Sequence, residues 1–200
     1  PPTSRERQPF VLIQVADDKS SYRFPNRTED ASAARGRFIT EMRAVVFQLS
    51  KRYEVIFSPH VFEDIRLSEE ISSEISNTKI WDFSRYAFDR AHESLGLYGD
   101  AAFVIAMRGH GQIVPISLGT PVISIENHPK HEGLMRDLGL QDFNVSIHEP
   151  DLAAEISIRI EMIESRWTGY SDTLSDINQR LTAETHSAFS KIASTLKGLV

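Results

Sequence analysis

The chain contains no cysteine. Disulfides and thiolate metal sites are therefore excluded, and a reducing, cytoplasmic setting fits. It also lacks any apolar run near the roughly 18 residues that a membrane-spanning helix needs. The opening PPTSRERQPF has neither an initiator Met nor the basic-then-apolar order of a signal peptide, so it reads as the start of a piece of a longer protein. Basic charge is scarce: 22 Lys and Arg stand against 28 Asp and Glu, a net charge of −6. General nucleic-acid binding needs a phosphate-neutralising basic face and is set aside. A local anion site is not, because a few cations converging on a pocket suffice. G-x-G-x-x-G after the first apolar run, Walker A and G-x-S-x-G are all missing. Repeats and low-complexity tracts are missing too.

What remains is an ordinary globular composition, 40 % hydrophobic and 25 % charged over 200 residues, enough for one large domain or two small ones. Apolar runs and amphipathic stretches alternate. Phe10–Val15, Tyr53–Phe57, Lys79–Phe83, Phe103–Met107, Val122–Ile125 and Asn144–Ile147 read as strands. Between them, helices are expected over Glu29–Arg52, Val61–Ile75, Arg85–Leu97 with its exit at Gly96 and Gly99, Gln112–Leu118, and His131–Leu138. Either Glu29 or Asp30 can serve the positive amino end of the first helix. Alternation of this kind predicts an α/β fold: a Rossmann-like, doubly wound parallel sheet of about six strands over residues 1–150. Residues 151–200 read as a helical extension, with Gly169 as its break and Leu174, Ile177, Leu181, Phe189 and Ile192 on its apolar side. The eight-residue step from Leu181 to Phe189 interrupts a heptad phase, which argues for packing on its own domain or on a missing one rather than a coiled coil.

Chemistry concentrates in Ala101–Lys130. Two apolar runs each stop at ionisable residues on a Gly- or Pro-punctuated turn, where a parallel sheet meets its ligands. Arg108 offers a planar fork for a carboxylate or phosphate. His110 can hold or release a proton near neutral pH. Gly109 and Gly111 permit positive φ and close ligand approach, and the helix they open adds an anion-favouring end. Gln112 follows in the same turn. Glu126, His128 and Lys130 end the neighbouring run, where a hydroxyl-binding acid, a second imidazole and a phosphate-neutralising cation would lie beside the first group. His60, after Pro59, reaches towards the same edge, as do Asp17, Asp18 and Lys19. His128 and His131 have loose metal-ligand spacing but no evident third ligand, so no metal is expected. His92 and His186 read as structural or solvated, and Trp81 and Trp167 as packing anchors.

The stretch Met107-Arg-Gly-His-Gly-Gln-Ile-Val-Pro-Ile-Ser-Leu-Gly-Thr-Pro-Val-Ile-Ser-Ile-Glu-Asn-His-Pro-Lys130 resembles the polysaccharide pyruvyltransferase family, and Gly133–Leu140 matches its following helix. The resemblance implies a two-domain, GT-B-like fold with its site in the interdomain cleft, this chain being the C-terminal half. It implies transfer of pyruvate from phosphoenolpyruvate, as donor substrate and without a cofactor, onto two hydroxyls of a sugar or glycan acceptor. Arg108 would hold the donor, His110 would act as general acid, and Lys130 with His128 would balance the leaving phosphate. Gly109, Gly111, Gln112, Glu126 and His60 would complete the binding surface. Exopolysaccharide synthesis, peripheral association with membrane-bound lipid-linked glycans and homo-oligomerisation are compatible with that reading.

Two other classes use the same residues. A GT-B glycosyltransferase would place a nucleotide-sugar pyrophosphate against Arg108 and Lys130, with Glu126 on the ribose. A non-catalytic domain would bind or assemble through its C-terminal helices.

Overall fold

The computed structural model describes residues 9–17, 30–81 and 91–197. Within them six strands form one parallel sheet: β1 Phe10–Gln14, β2 Glu54–Phe57, β3 Thr78–Ile80, β4 Val104–Ala106, β5 Val122–Glu126 and β6 Asn144–Ser146. The spatial order is β3-β2-β1-β4-β5-β6. The expected doubly wound, Rossmann-like sheet is therefore observed. Its central strands read as unbroken apolar runs because helices bury both faces; Val11, Leu12, Ile13, Val104, Ile105 and Ala106 are all fully buried.

The connecting helices are α1 Ala31–Leu49, α2 Phe62–Ser72, α3 Ala91–Asp100, α4 Gly109–Leu118, α5 Pro129–Asp137, α6 Leu152–Ser165 and α7 Trp167–Lys197. Asp30 caps α1, its carboxylate accepting from the Ser32 and Ala33 amides at 2.8 and 2.9 Å. The face Ala34, Phe38, Met42, Val45, Val46 and Leu49 then buries itself, with α1 packing on α2 and α6. Each of the larger side chains contributes about 1.5–3 kcal/mol of apolar burial. Gly119 and Gly139, at φ 80° and 76°, stop α4 and α5 in the left-handed conformation that a side chain would disfavour.

Several boundaries differ from the sequence expectation. The third helix runs through Gly96 and Gly99 to Asp100 instead of leaving there. Tyr98, between those glycines, is buried and its hydroxyl lies 2.9 Å from His60 Nε2 and 3.3 Å from Ser58 Oγ. Packing of this turn against α4 outweighs about 1 kcal/mol of helix propensity lost per glycine. The helix after β4 begins three residues earlier than expected, and the one after β5 begins at Pro129, a residue pre-set for the first helical position. The chain breaks between α6 and α7 at Arg166, so Gly169 lies inside α7. Expected strand residues 82–83 and helix residues 85–90 lie outside the described residues, as do Asp18 and Lys19.

Helix α7 folds back over the domain. The Tyr170 hydroxyl donates to the Val122 carbonyl at 3.0 Å and accepts from the Val122 amide at 3.3 Å, while its ring stacks on Phe143 at 4.2 Å. Leu174 and Ile177 are buried, and Asn178 Nδ2 donates to the Ile116 carbonyl. Beyond Leu181 the helix stands away from the sheet, with Phe189 67 % and Ile192 55 % exposed. No helix among the described residues is long and apolar enough to cross a membrane.

Candidate functional site

In an open parallel sheet, ligands gather beyond the carboxyl ends of the strands, where the strand order reverses. Here the reversal falls between β1 and β4. Arg108 follows β4 directly and stands at that point. Its Nε and Nη2 donate to Asp64 Oδ2 and Oδ1 at 2.9 and 2.7 Å. Asp64 is on the first turn of α2, with its side chain fully buried, and it also accepts from the Asp17 and His60 amides at 3.0 and 3.2 Å. Asp17 in turn accepts both Nε and Nη2 of Arg35 at 2.8 and 2.7 Å, and Arg35 Nη1 donates to Glu70. The hydrogen bonds that Arg35 donates, first to Asp17 and then to Glu70, raise its guanidinium pKa, and the bond to Glu70 holds that carboxyl below the usual carboxylate range.

Arg108, Gly109, His110, Ile113 and Lys130 line one open cavity of about 290 Å³. Residues from two strand ends, 20 positions apart, are thus brought together. His110 and Lys130 are exposed, and each lies in the first turn of its helix, α4 and α5. The first turn of α4 has no side-chain cap, which leaves an anion-favouring group of amides at the cavity.

The other expected residues lie outside that cavity lining. His60 hydrogen-bonds Tyr98, and its pKa is lowered to about 4, first by burial and then by the Arg108 charge, so its ring is neutral at pH 7. Gln112 points inward and is fully buried, its Nε2 donating to Ser124 Oγ at 2.9 Å and to the Ala106 carbonyl; it braces β4 against β5. Glu126 accepts from Asn144 Nδ2 at 2.8 Å. His128 caps α5, its Nδ1 accepting from the Lys130 amide at 3.1 Å. Neither Gly109 nor Gly111 has positive φ, which corrects that expectation. Gly111 is needed for close packing instead: a Cβ there would meet Gln14 Oε1 at 3.0 Å and Ala106 Cβ at 3.2 Å. Among the described residues no group of three His, Asp or Glu could hold a metal. Trp81 packs at the core edge, whereas the side chains of His92 and Trp167 lie outside the description.

Sequence reasoning missed Asp64, Tyr98, Arg35 and Ile113. Asp64 had a signal: with Leu67, Ser68 and Ile71 it completes the buried i, i+3, i+4, i+7 stripe of α2, a position where an acid must find partners.

The six-stranded, doubly wound sheet, with Arg108 at its switch point, has a Rossmann-like fold of the kind found in one half of GT-B-type proteins. Three solved structures share it. They are *E. coli* heptosyltransferase WaaC with ADP (9 % identity, TM-score 0.55, 80 % of this chain and 45 % of that one), *S. aureus* MnaA with UDP (10 %, 0.53, 92 % and 46 %), and *Neisseria meningitidis* UDP-GlcNAc 2-epimerase with UDP-GlcNAc (12 %, 0.52, 92 % and 46 %). The chain spans a little under half the length of each. Within that class it belongs to the polysaccharide pyruvyl transferase family, whose model matches residues 15–129, more than half of the chain. No curated protein matches it.

Proposed function

We propose that this chain carries the donor site of a transferase that moves pyruvate from phosphoenolpyruvate to a glycan as a cyclic ketal. The observation that supports it is that Arg108, His110 and Lys130 share one cavity beyond the carboxyl ends of β4 and β5, with Arg108 at the switch point. Phosphoenolpyruvate carries a carboxylate and a phosphate, and the cavity offers two cations and a helix amino end to receive them. Its volume is at the low end for small-molecule sites, which favours a compact donor.

In this reading Arg108 and Lys130 hold the two anionic groups. His110 gives a proton to the donor's methylene carbon while a sugar hydroxyl adds to C2, and the hydroxyl's own proton returns to His110. Phosphate then leaves C2, its charge balanced by Lys130, and a second hydroxyl closes the ketal, giving its proton to the departing phosphate. The scheme calls on no cofactor.

Titration of the chain with phosphoenolpyruvate, and separately with UDP- and GDP-sugars, tests the assignment by calorimetry or ligand-observed NMR. Binding of phosphoenolpyruvate that is weakened in Arg108→Ala supports it. Preference for a nucleotide sugar assigns the cavity to a glycosyltransferase donor, and equal phosphoenolpyruvate binding by Arg108→Ala removes Arg108 from the site.

A further inference from the structure

We infer that Asp64 is the positioning residue of the donor site, holding the Arg108 guanidinium in the plane from which it meets an anion. The inference rests on the reading of Arg108 as a donor-binding group.

The geometry is specific. Asp64 has no exposed side-chain surface, yet four donors converge on its two oxygens: Arg108 Nε and Nη2, the Asp17 amide and the His60 amide. A buried carboxylate is costly unless it is paired and hydrogen-bonded, and this one is both. The donors come from the ends of β1, β2 and β4, so one carboxylate ties together the two strand termini that flank the switch point and that of β2 beside them. Its place in the first turn of α2 further favours the negative charge.

The consequence falls on Arg108. An arginine at a strand end ordinarily samples many rotamers and loses that freedom when it binds an anion. The two parallel bonds to Asp64 fix both the position and the plane of the guanidinium before any ligand arrives, which is preorganisation. Asp17 is itself fixed by the two-pronged bond from Arg35, so the amide it presents to Asp64 has little room to move. Lysine at position 108 could not do this, because a single ammonium cannot present two parallel N–H groups to Asp64 in a fixed plane.

The test is phosphoenolpyruvate affinity of Asp64→Asn, Arg108→Ala and the double variant, with folding followed by circular dichroism. The expected result is an affinity loss of about tenfold or more in Asp64→Asn, and no further loss when Asp64→Asn is added to Arg108→Ala. Unchanged affinity in Asp64→Asn, with Arg108→Ala impaired, overturns the positioning role and leaves the donor reading standing. An equal loss in the presence and absence of Arg108 also overturns it, since Asp64 would then act only on the fold. Full affinity in Arg108→Ala sinks the donor reading itself. Should Asp64→Asn unfold, the unaltered protein still decides. The Arg108 Nε–H resonance, assigned by its absence in Arg108→Lys, is expected to exchange slowly with water and show hindered guanidinium rotation, and a freely rotating group overturns the inference.

Discussion

Gln14 and Gly111 meet across the interface of β1 and α4 so closely that a methyl on Gly111 would lie 3.0 Å from Gln14 Oε1. Ala106 Cβ, anchored to β4, would be 3.2 Å away on the other side and has no rotamer to retreat into. This contact sets how near the cavity-lining turn of α4 lies to the sheet.

Gly111→Val should therefore destabilise the protein by about 1–3 kcal/mol through overpacking. Gly109→Ala, where a Cβ meets nothing within 4 Å and φ is not positive, should be neutral or slightly stabilising. Urea denaturation of the two variants checks the contrast. Equal effects would mean that α4 can lift off the sheet freely.

His60 makes a pH prediction. Burial holds its pKa at about 4, below the roughly 6.5 of an unfolded histidine. Between those values the unfolded chain binds more protons than the folded one, so stability falls as pH drops through that window. The shift corresponds to about 3 kcal/mol, fully expressed below pH 4 and absent above about 6.5. His60→Gln should flatten this part of the stability profile, as measured by urea denaturation at pH 7 and pH 4.5.

The sheet was legible because strands buried on both faces must be apolar throughout. Val11-Leu12-Ile13 and Val122-Ile-Ser-Ile125 show it without needing partners named. The cavity group Arg108, His110 and Lys130 was legible from the same logic, since each follows a buried run. What could not be read was direction. Gln112 sits two residues from His110, yet it is turned into the sheet, because residues 110 and 112 lie on nearly opposite sides of a helix. His128 carried the chemistry of a ligand and serves as a cap, a role decided by the φ and ψ values of its own backbone. Asp64 is hidden differently: an acid in a helix's first turn is the commonest of solvated features, and only its phase with Leu67 and Ile71 sets it apart.

Helix α7 divides at Leu181 into a part that the domain needs and a part that it does not. Tyr170→Phe removes the only side-chain group bridging the Val122 amide and carbonyl among the described residues, and should cost about 1–3 kcal/mol. Truncation before Tyr170 also strips Leu174 and Ile177 and should cost at least as much as a large core deletion, about 2–5 kcal/mol. Truncation after Thr185 removes mostly exposed residues and should change stability by about 0.5 kcal/mol or less. Thermal melts of the three proteins check this order, and a large loss from the last one would show that the outer half has a contact within the same protein.

Turnover separates the two exposed ionisable members of the cavity. His110 and Lys130 both face the cavity, but they should fail in different ways when removed. As the proton donor of the proposed reaction, His110 would act on the transition state more than on the bound donor. His110→Ala should therefore leave phosphoenolpyruvate affinity near its original value and lower turnover by about 10²–10⁴-fold. Lys130 is exposed, and in the proposed reaction it would act by its charge. Lys130→Ala should weaken donor binding, and the difference from the unaltered protein should shrink as salt is raised and the cation is screened. Donor titrations at low and high ionic strength measure the affinities, and release of phosphate in the presence of a glycan acceptor, followed in the two-domain enzyme that the proposed function implies, measures turnover. If Lys130→Ala lowers turnover without touching affinity, and His110→Ala does the reverse, the two roles must be exchanged.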